Sequence, residues 1–419
     1  MATTFTALFV FFLLQMIGLK LWLASRQIRH VARHAQTVPP QFAARVSLEA
    51  HRRAAAYTIA RQRLQMLEAA VGVAVLVALT LLGGVQALAA LIGEWLGNGL
   101  AAQVTLVAGV ALILGAVELP FEWFRQFHVE ERFGFNRMTA RLFVVDLVKS
   151  VLVAAALGLP LLALVLWLMA AAGKYWWLYA WTVWIGFNAL VLVLYPTVIA
   201  PLFNKFQPLA DGDLAARIGA LLTRTGFSSR GVFVMDGSRR SAHGNAYFTG
   251  LGRAKRIVFF DTLLQRLQPA EIEAVLAHEL GHFKKRHIAK RLAFSFVSSL
   301  VFLAALGWLT ERSWFYQGLG VTPPLDGSHG GVALVLFMLV APVFTFVLAP
   351  IASRISRKHE FEADAFAVTH TSGDDLACAL VKLYEDNAAT LTPDPVHSAF
   401  YDSHPPAAIR IARLRAAAA

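Results

Sequence analysis

The sequence predicts an all-α polytopic membrane protein of seven transmembrane helices, joined to a small α+β region outside the hydrocarbon core. Three observations predict it. Of 419 residues, 57% are hydrophobic and 15% charged, with a mean hydropathy of +0.57, far more apolar than a soluble domain of this length. Apolar runs near 5–24, 67–92, 103–124, 147–171, 176–203, 292–309 and 332–352 approach or exceed the roughly 20 helical residues needed to cross a bilayer. The segments 204–291 and 353–419 are polar by contrast, and the first contains short β-like stretches.

The first run, FTALFVFFLLQMIGLKLWLAS, has no basic residue before its apolar core and an arginine-rich loop after it, the reverse of a cleaved signal peptide. It is expected to stay as an anchor with its N-terminus outside. Arg26, Arg29, Arg33, Arg45, Arg52, Arg53, Arg61 and Arg63 lie between the first two runs, whereas 93–102 has no lysine or arginine. That asymmetry predicts a cytoplasmic first loop. Counting onward assigns 125–146, 204–291 and 353–419 to the cytoplasm, where most remaining basic residues lie. The fourth and fifth runs are joined by the very short AAAGKYWW, and the sixth is among the shortest.

The net charge of +12 fits loops facing anionic lipid, and with no recognition motif beside it, nucleic acid is not an expected partner. The single cysteine, Cys378, permits neither an intrachain disulfide nor a CxxC metal knuckle. It reads as an inert small apolar residue. Glu118, Glu122 and Asn188 fall at or near membrane depth, where facing lipid is expensive. They should face protein or water, although Glu118 and Glu122 flank Pro120 and fit the headgroup level equally well.

The resulting organisation is 1–203, spans one to five with cytoplasmic loops; 204–291, a cytoplasmic catalytic segment; 292–352, spans six and seven; and 353–419, a cytoplasmic C-terminal segment. In the catalytic segment GVFVMDG, HGNAYFTG and RIVFFDTLL suggest a small sheet. A helix follows in LQPAEIEAVLAHELGHF, with Pro269 suited to its first turn and Glu271 and Glu273 to its positive end.

On that helix His278 and His282, four positions apart and so separated by about 400°, project from one face and can offer imidazole nitrogens to one ion. Glu279 lies about 100° round, beside the open coordination position, where it can take a proton from an attacking water. HExxH is a short pattern that needs a third ligand. The extended HExxHxxGxxH form is excluded, because Lys285 and Ile288 occupy the glycine and histidine positions. A second helix, SRISRKHEFEADAFAVTH, offers Glu360 as the ligand and Asp364, one turn later, to orient a ligand histidine through its distal N–H. Glu362 is rotated about 200° from Glu360 and reads as solvated or salt-bridged. His287 is about 140° off the 278/282 face and, beside Lys284, Lys285 and Arg286, reads as an interfacial cation. His359 reads as a surface residue.

At this point the chain resembles the type I CAAX prenyl proteases, integral membrane zinc metalloproteases of seven helices. The motifs are FHVEERFGFNRMT, SAHGNAYFTGLGRAKRIVFFDTLL, the HELGH helix, SRKHEFEADAFA and FYDSHPPAAIRIARL, in this order around the same membrane pattern. The resemblance implies His278, His282 and Glu360 as ligands of one Zn2+ per chain, with Glu279 as general base. It implies Asn245 in the edge that pairs with substrate backbone, His404 as a stabiliser of the developing oxyanion, and Arg410 as a substrate contact near the cleft. Without it, His404 reads as a loop histidine before Pro405 and Pro406, and Arg410 as a headgroup contact. A β-edge beside the metal would hold an extended peptide by main-chain hydrogen bonds, and a donor at the former carbonyl oxygen would lower the barrier. The resemblance also implies a water-filled chamber between the helices.

The expected fold is therefore the seven-helix bundle with a zincin-like α+β region, and the expected activity peptide-bond hydrolysis. Its partners are a peptide or protein substrate, prenylated if the resemblance extends that far, and the lipid bilayer. Arginine outnumbers lysine 28 to 10, which points to a GC-rich bacterial source and an inner-membrane location. In that setting turnover of damaged membrane proteins is the alternative to removal of a prenylated C-terminal tripeptide. The rival of another class is a channel or transporter with a structural metal.

Overall fold

The computed structural model describes residues 1–210, 212–227, 231–249, 256–322 and 329–418. Its chain runs α1 (Ala2–His34), α2 (Leu48–Leu79), α3 (Gly84–Leu96), α4 (Leu100–Phe124), α5 (Ala140–Ala171), α6 (Trp176–Leu194) and α7 (Ala200–Phe203). There follow β1 (Phe206–Pro208), α8 (Asp213–Arg224), β2 (Val232–Met235), β3 (Ala246–Thr249), β4 (Arg256–Phe260), α9 (Asp261–Arg266) and α10 (Pro269–Lys284). The remainder is helical: α11 (His287–Leu309), α12 (Ser313–Gln317), α13 (Gly330–Thr345), α14 (Ala349–His370), α15 (Gly373–Asp386), α16 (Pro395–Tyr401) and α17 (Ala407–Ala418).

Among the described residues seven helical stretches are long and apolar enough to cross a membrane: Ala2–His34, Leu48–Leu79, Leu100–Glu130, Ala140–Ala171, Gly173–Phe203, His287–Leu309 and Gly330–His370. The number agrees with the apolar runs, but the second differs. The run at 67–92 is cut by a turn in which Gly83 adopts φ +77°, so one helix begins upstream at Leu48 and a separate short helix, α3, carries the rest. Hydropathy alone merged them because the turn residues Leu81 and Leu82 are as apolar as the helices they join. In the seventh stretch a single 3₁₀ turn, Phe346–Leu348, connects α13 to α14, and the helical path continues from the apolar span into the polar helix bearing Glu360.

The four strands form one sheet in the order β1-β2-β4-β3, with β2 and β4 parallel and the other pairs antiparallel. The strand β3 is therefore an edge. An apolar core unites this sheet with the polar helices: Ile218 and Leu221 of α8, Ile257 and Phe259 of β4, Leu276 and Leu280 of α10, Ala367 of α14, Leu380 of α15 and Ile411 of α17. The segments 204–291 and 353–419 thus fold as one body. A second core lies in the bundle, where Phe9, Leu106, Phe315 and Leu336 join α1, α4, α12 and α13.

Candidate metal centre and peptide cleft

The helix α10 starts at a capping box in which the Gln268 backbone N–H donates to Glu271 Oε2 at 2.7 Å, with Pro269 in its first turn. Lys382 Nζ donates to the same carboxylate oxygen at 2.7 Å, pinning this helix end to α15. Glycine at 281 sets the approach of α10 to α14, for a Cβ there would stand 2.9 Å from Ala363 Cα and 3.0 Å from its carbonyl oxygen. The HELGH helix consequently packs backbone to backbone against the helix of Glu360.

That packing brings three ligand atoms together. His278 Nε2 lies 3.2 Å from His282 Nε2 and 3.5 Å from Glu360 Oε2, while His282 Nε2 lies 3.2 Å from Glu360 Oε1. Ligand atoms held tetrahedrally at about 2.0–2.1 Å from zinc stand about 3.3–3.4 Å apart, so the spacing already suits the ion. Glu360 Oε2 is buried and makes no hydrogen bond, which an uncoordinated buried carboxylate oxygen would not tolerate without cost. The donor set, two imidazoles and a carboxylate, fits zinc and leaves a fourth position open.

Asp364 Oδ1 sits 2.8 Å from His278 Nδ1. Arg410 donates Nε–H to Asp364 Oδ2 at 2.7 Å and Nη2–H to Oδ1 at 2.6 Å, and its Nη1 is 3.4 Å from Glu360 Oε2. The guanidinium, read from sequence as a substrate contact, is only 4% exposed and is committed to these carboxylates, although the residue borders the cleft. His287 lies 3.1 Å from His282 (Nδ1 to Nδ1) and 2.9 Å from Glu362; it is buried, not interfacial. The helical-wheel angle misplaced it because α10 ends at Lys284 and Arg286, with a φ of +57°, turns the chain so that a new helix starts at His287. His359 stacks on the His287 ring with centroids 4.0 Å apart.

A cleft of about 320 Å³ opens over this centre, bordered by Asn245, His278, Glu279, Tyr384, His404 and Arg410. Burial pushes the Glu279 carboxyl upward against the opposing pull of His278 and His282. His404 turns Nε2 to within 3.5 Å of Glu360 Oε1, and its Nδ1 meets the Ser403 hydroxyl at 3.0 Å. Asn245 is exposed just before the edge strand β3, and its carbonyl oxygen accepts from Phe260 N–H at 3.0 Å. Residues 250–255 of the long SAHGN stretch lie outside the described residues.

The loop before β3 is held by the FHVEERFGF stretch and the residues just after it, a tertiary task that its sequence does not announce. Ala242 N–H donates to Phe135 O at 3.1 Å and Arg137 N–H to Arg240 O at 3.2 Å. Glu130 accepts from Tyr57 at 2.6 Å and stands 3.4 Å from His243, whose other nitrogen meets Asn387 at 3.0 Å.

Residues 27–205 match the family model of the CAAX prenyl protease N-terminal region with five membrane helices, and residues 208–418 match that of peptidase family M48. The chain belongs to the CAAX prenyl protease family. It is 40% identical over 299 residues, 71% of its length and 68% of the other's, to a CAAX prenyl protease 1 homolog of Dictyostelium discoideum. It is 37% identical to the Arabidopsis thaliana homolog, over 76% of this chain and 74% of that one. The crystal structure of S. mikatae Ste24p superposes with a TM-score of 0.91 at 29% identity, covering 98% of this chain and 99% of the other. This family member is thus a multi-pass membrane metalloprotease, a hydrolase acting on peptide or protein substrates with a metal, and the channel reading is set aside.

Proposed function

We propose that the chain holds one zinc ion through His278, His282 and Glu360 and hydrolyses peptide bonds in the cleft above it. The observation that carries this reading is the set of mutual ligand-atom separations of 3.2–3.5 Å together with the unbonded Glu360 Oε2. Zinc, when bound, supplies Lewis acidity that brings water to a pKa of about 7 and polarises a carbonyl. The protein's own groups do the rest. An extended peptide adds to the β3 edge by main-chain hydrogen bonds, with Asn245 at its border. Glu279 accepts the proton of the attacking water and passes it to the leaving amine. His404 Nε2–H donates to the oxygen that gains charge in the transition state. Asp364 accepts from His278 Nδ1–H and fixes its tautomer, and Arg410 holds Asp364 in place, a positioning task in keeping with its burial.

The substrate we assign is a C-terminally prenylated protein that loses its last three residues, a reading supported by the similarity of the chain to CAAX prenyl protease 1 homologs. Arginine-rich composition favours a bacterial inner membrane, with the N-terminus outside, the C-terminus in the cytoplasm and the divisions at 203/204, 291/292 and 352/353. In that setting turnover of unprenylated membrane proteins is the competing task. Cleavage of a farnesylated peptide beside its unprenylated counterpart, each with and without a zinc chelator, tests the reading. Chelator-sensitive cleavage preferring the farnesylated peptide is expected. Equal cleavage of both refutes the substrate assignment, and chelator-resistant cleavage refutes the zinc assignment.

A further inference from the structure

The two ligand histidines are oriented by different means. His278 reaches a carboxylate directly, with Nδ1 2.8 Å from Asp364 Oδ1. Among the described residues no carboxylate meets His282 Nδ1; it meets instead His287 Nδ1 at 3.1 Å, and His287 Nε2 meets Glu362 Oε2 at 2.9 Å. A neutral imidazole carries a single N–H, and this permits one consistent arrangement. If His282 Nε2 presents its lone pair toward His278 and Glu360, its proton lies on Nδ1. His287 Nδ1 must then accept, so the His287 proton lies on Nε2 and is donated to Glu362. The carboxylate of Glu362 thereby fixes the tautomers of two rings in series. His287 is 4% exposed, and its ring is held flat against His359, with an interplanar angle of 13°. The geometry of the chain is suited to this, because the left-handed Arg286 turns the backbone just before His287 and Glu362 faces away from Glu360 on α14.

We infer that His287 and Glu362 form a relay that orients His282 for the metal, making His287 a positioning residue for this centre. This inference rests on the assignment of the metal to His278, His282 and Glu360. Its basis is independent of the Asp364–Arg410 arm, since the two arms share no residue. Loss of such an outer partner weakens metal binding about 10- to 100-fold.

The test uses the full-length protein in lipid or detergent, with zinc affinity read by competition with a chromophoric chelator and the visible spectrum of the Co2+-substituted protein read in parallel. His287→Leu, which removes the acceptor, is expected to weaken zinc by about 10-fold or more and to change the cobalt bands. His287→Gln, whose amide offers one acceptor and one donor, is expected to lose less than His287→Leu. Glu362→Ala is expected to weaken zinc even where His287→Leu fails to fold, because Glu362 is partly exposed and its removal leaves the core intact. Wild-type affinity and an unchanged cobalt spectrum in Glu362→Ala overturn the relay, as does equal loss in His287→Leu and His287→Gln. Wild-type zinc affinity in a folded His278→Ala variant overturns the metal assignment instead, so the two failures are distinguishable.

Discussion

Replacing Gly281 by alanine tests whether helix approach, and not ligand identity alone, builds the metal centre. A Cβ at 281 would stand 2.9 Å from Ala363 Cα and 3.0 Å from Ala363 O, both backbone atoms that no rotamer change can move. Restoring the carbon contact to the lower end of normal separation, about 3.5 Å, requires α10 and α14 to part by about 0.6 Å. These helices carry His278 and His282 on one side and Glu360 on the other, so much of that shift reaches the 3.2 and 3.5 Å separations between them. Two opposing effects act on stability. Alanine gains about 0.8–1.0 kcal/mol of helix propensity over glycine, while overpacking costs about 1–3 kcal/mol. The net change expected is a loss of about 0–2 kcal/mol, small beside the effect on the metal. The assay is zinc competition on the purified full chain, with thermal unfolding in excess zinc as the control. G281A should unfold near the wild-type temperature but bind zinc about tenfold or more weakly, comparable to loss of an outer-shell partner. Wild-type zinc affinity in a folded G281A protein would refute the reasoning, because the centre would then tolerate a separation that its ligand spacing excludes.

Three further outcomes are expected, at the proposed base, at the chain ends and at a helix cap remote from the metal centre. Glu279→Gln should keep zinc and peptide binding but lower single-turnover cleavage by about 10²- to 10⁴-fold, the usual share of general acid–base catalysis; Glu360→Gln should instead lower zinc content itself. Near-normal cleavage by zinc-loaded Glu279→Gln removes the base assignment. Reporter fusions at the two ends should report opposite sides of the membrane, as seven crossings demand; termini on one side would contradict the count. Asp394 caps α16 and accepts from Arg26 at 3.0 and 3.2 Å. Burial opposes its charge, but Arg26 and the N–H groups of His397 and Val396 outweigh it and hold the carboxyl below its usual range. A depressed carboxylate contributes stability above its unfolded pKa, about 3.9, and loses it as pH falls through the lower folded value. Asp394→Asn should therefore unfold more easily at pH 7, by about 1 kcal/mol, with the difference closing below about pH 3.9. A difference that persists or grows toward low pH would reverse the sign and the argument.

Much of this was legible in the sequence for identifiable reasons. Bilayer thickness imposes a length on apolar runs, so the seven spans could be counted, and the four-residue spacing of His278 and His282 fixes a common face wherever a helix forms. The same periodicity put Glu360 and Asp364 on one face of α14, and both lie against His278. Periodicity failed where the chain leaves the helix. The left-handed Arg286 invalidated the angle assigned to His287, and the Gly83 turn divided a run that hydropathy had joined. Tertiary partners were also invisible: nothing in FHVEERFGF says that Phe135 will receive the backbone of Ala242, and nothing local says that Arg410 will be spent on Asp364. Such contacts join residues far apart in the chain, 46 positions for Arg410 and Asp364, which no local pattern encodes.

The path of the helices explains why the proposed metal centre sits where spans end. Glu360 is borne on a helical stretch that begins inside the bundle at Gly330 and continues past the apolar span to His370. His287, beside His282, is the first residue of another span. The third span ends in a π-helical segment, Arg125–Glu130, whose last residue contacts His243 just ahead of the β3 edge. The proposed ligand, its outer partner and the proposed peptide edge are thus each held by a different membrane helix. A shift of any one of these helix ends changes a ligand distance or moves the edge relative to the proposed metal position, because each carries or contacts one of these groups. Peptide hydrolysis requires the scissile carbonyl, Glu279 and the metal to be held within a few tenths of an ångström. Packing among the spans therefore sets the geometry of the candidate site, so a peptide lying in the cleft takes an orientation that the same helices define.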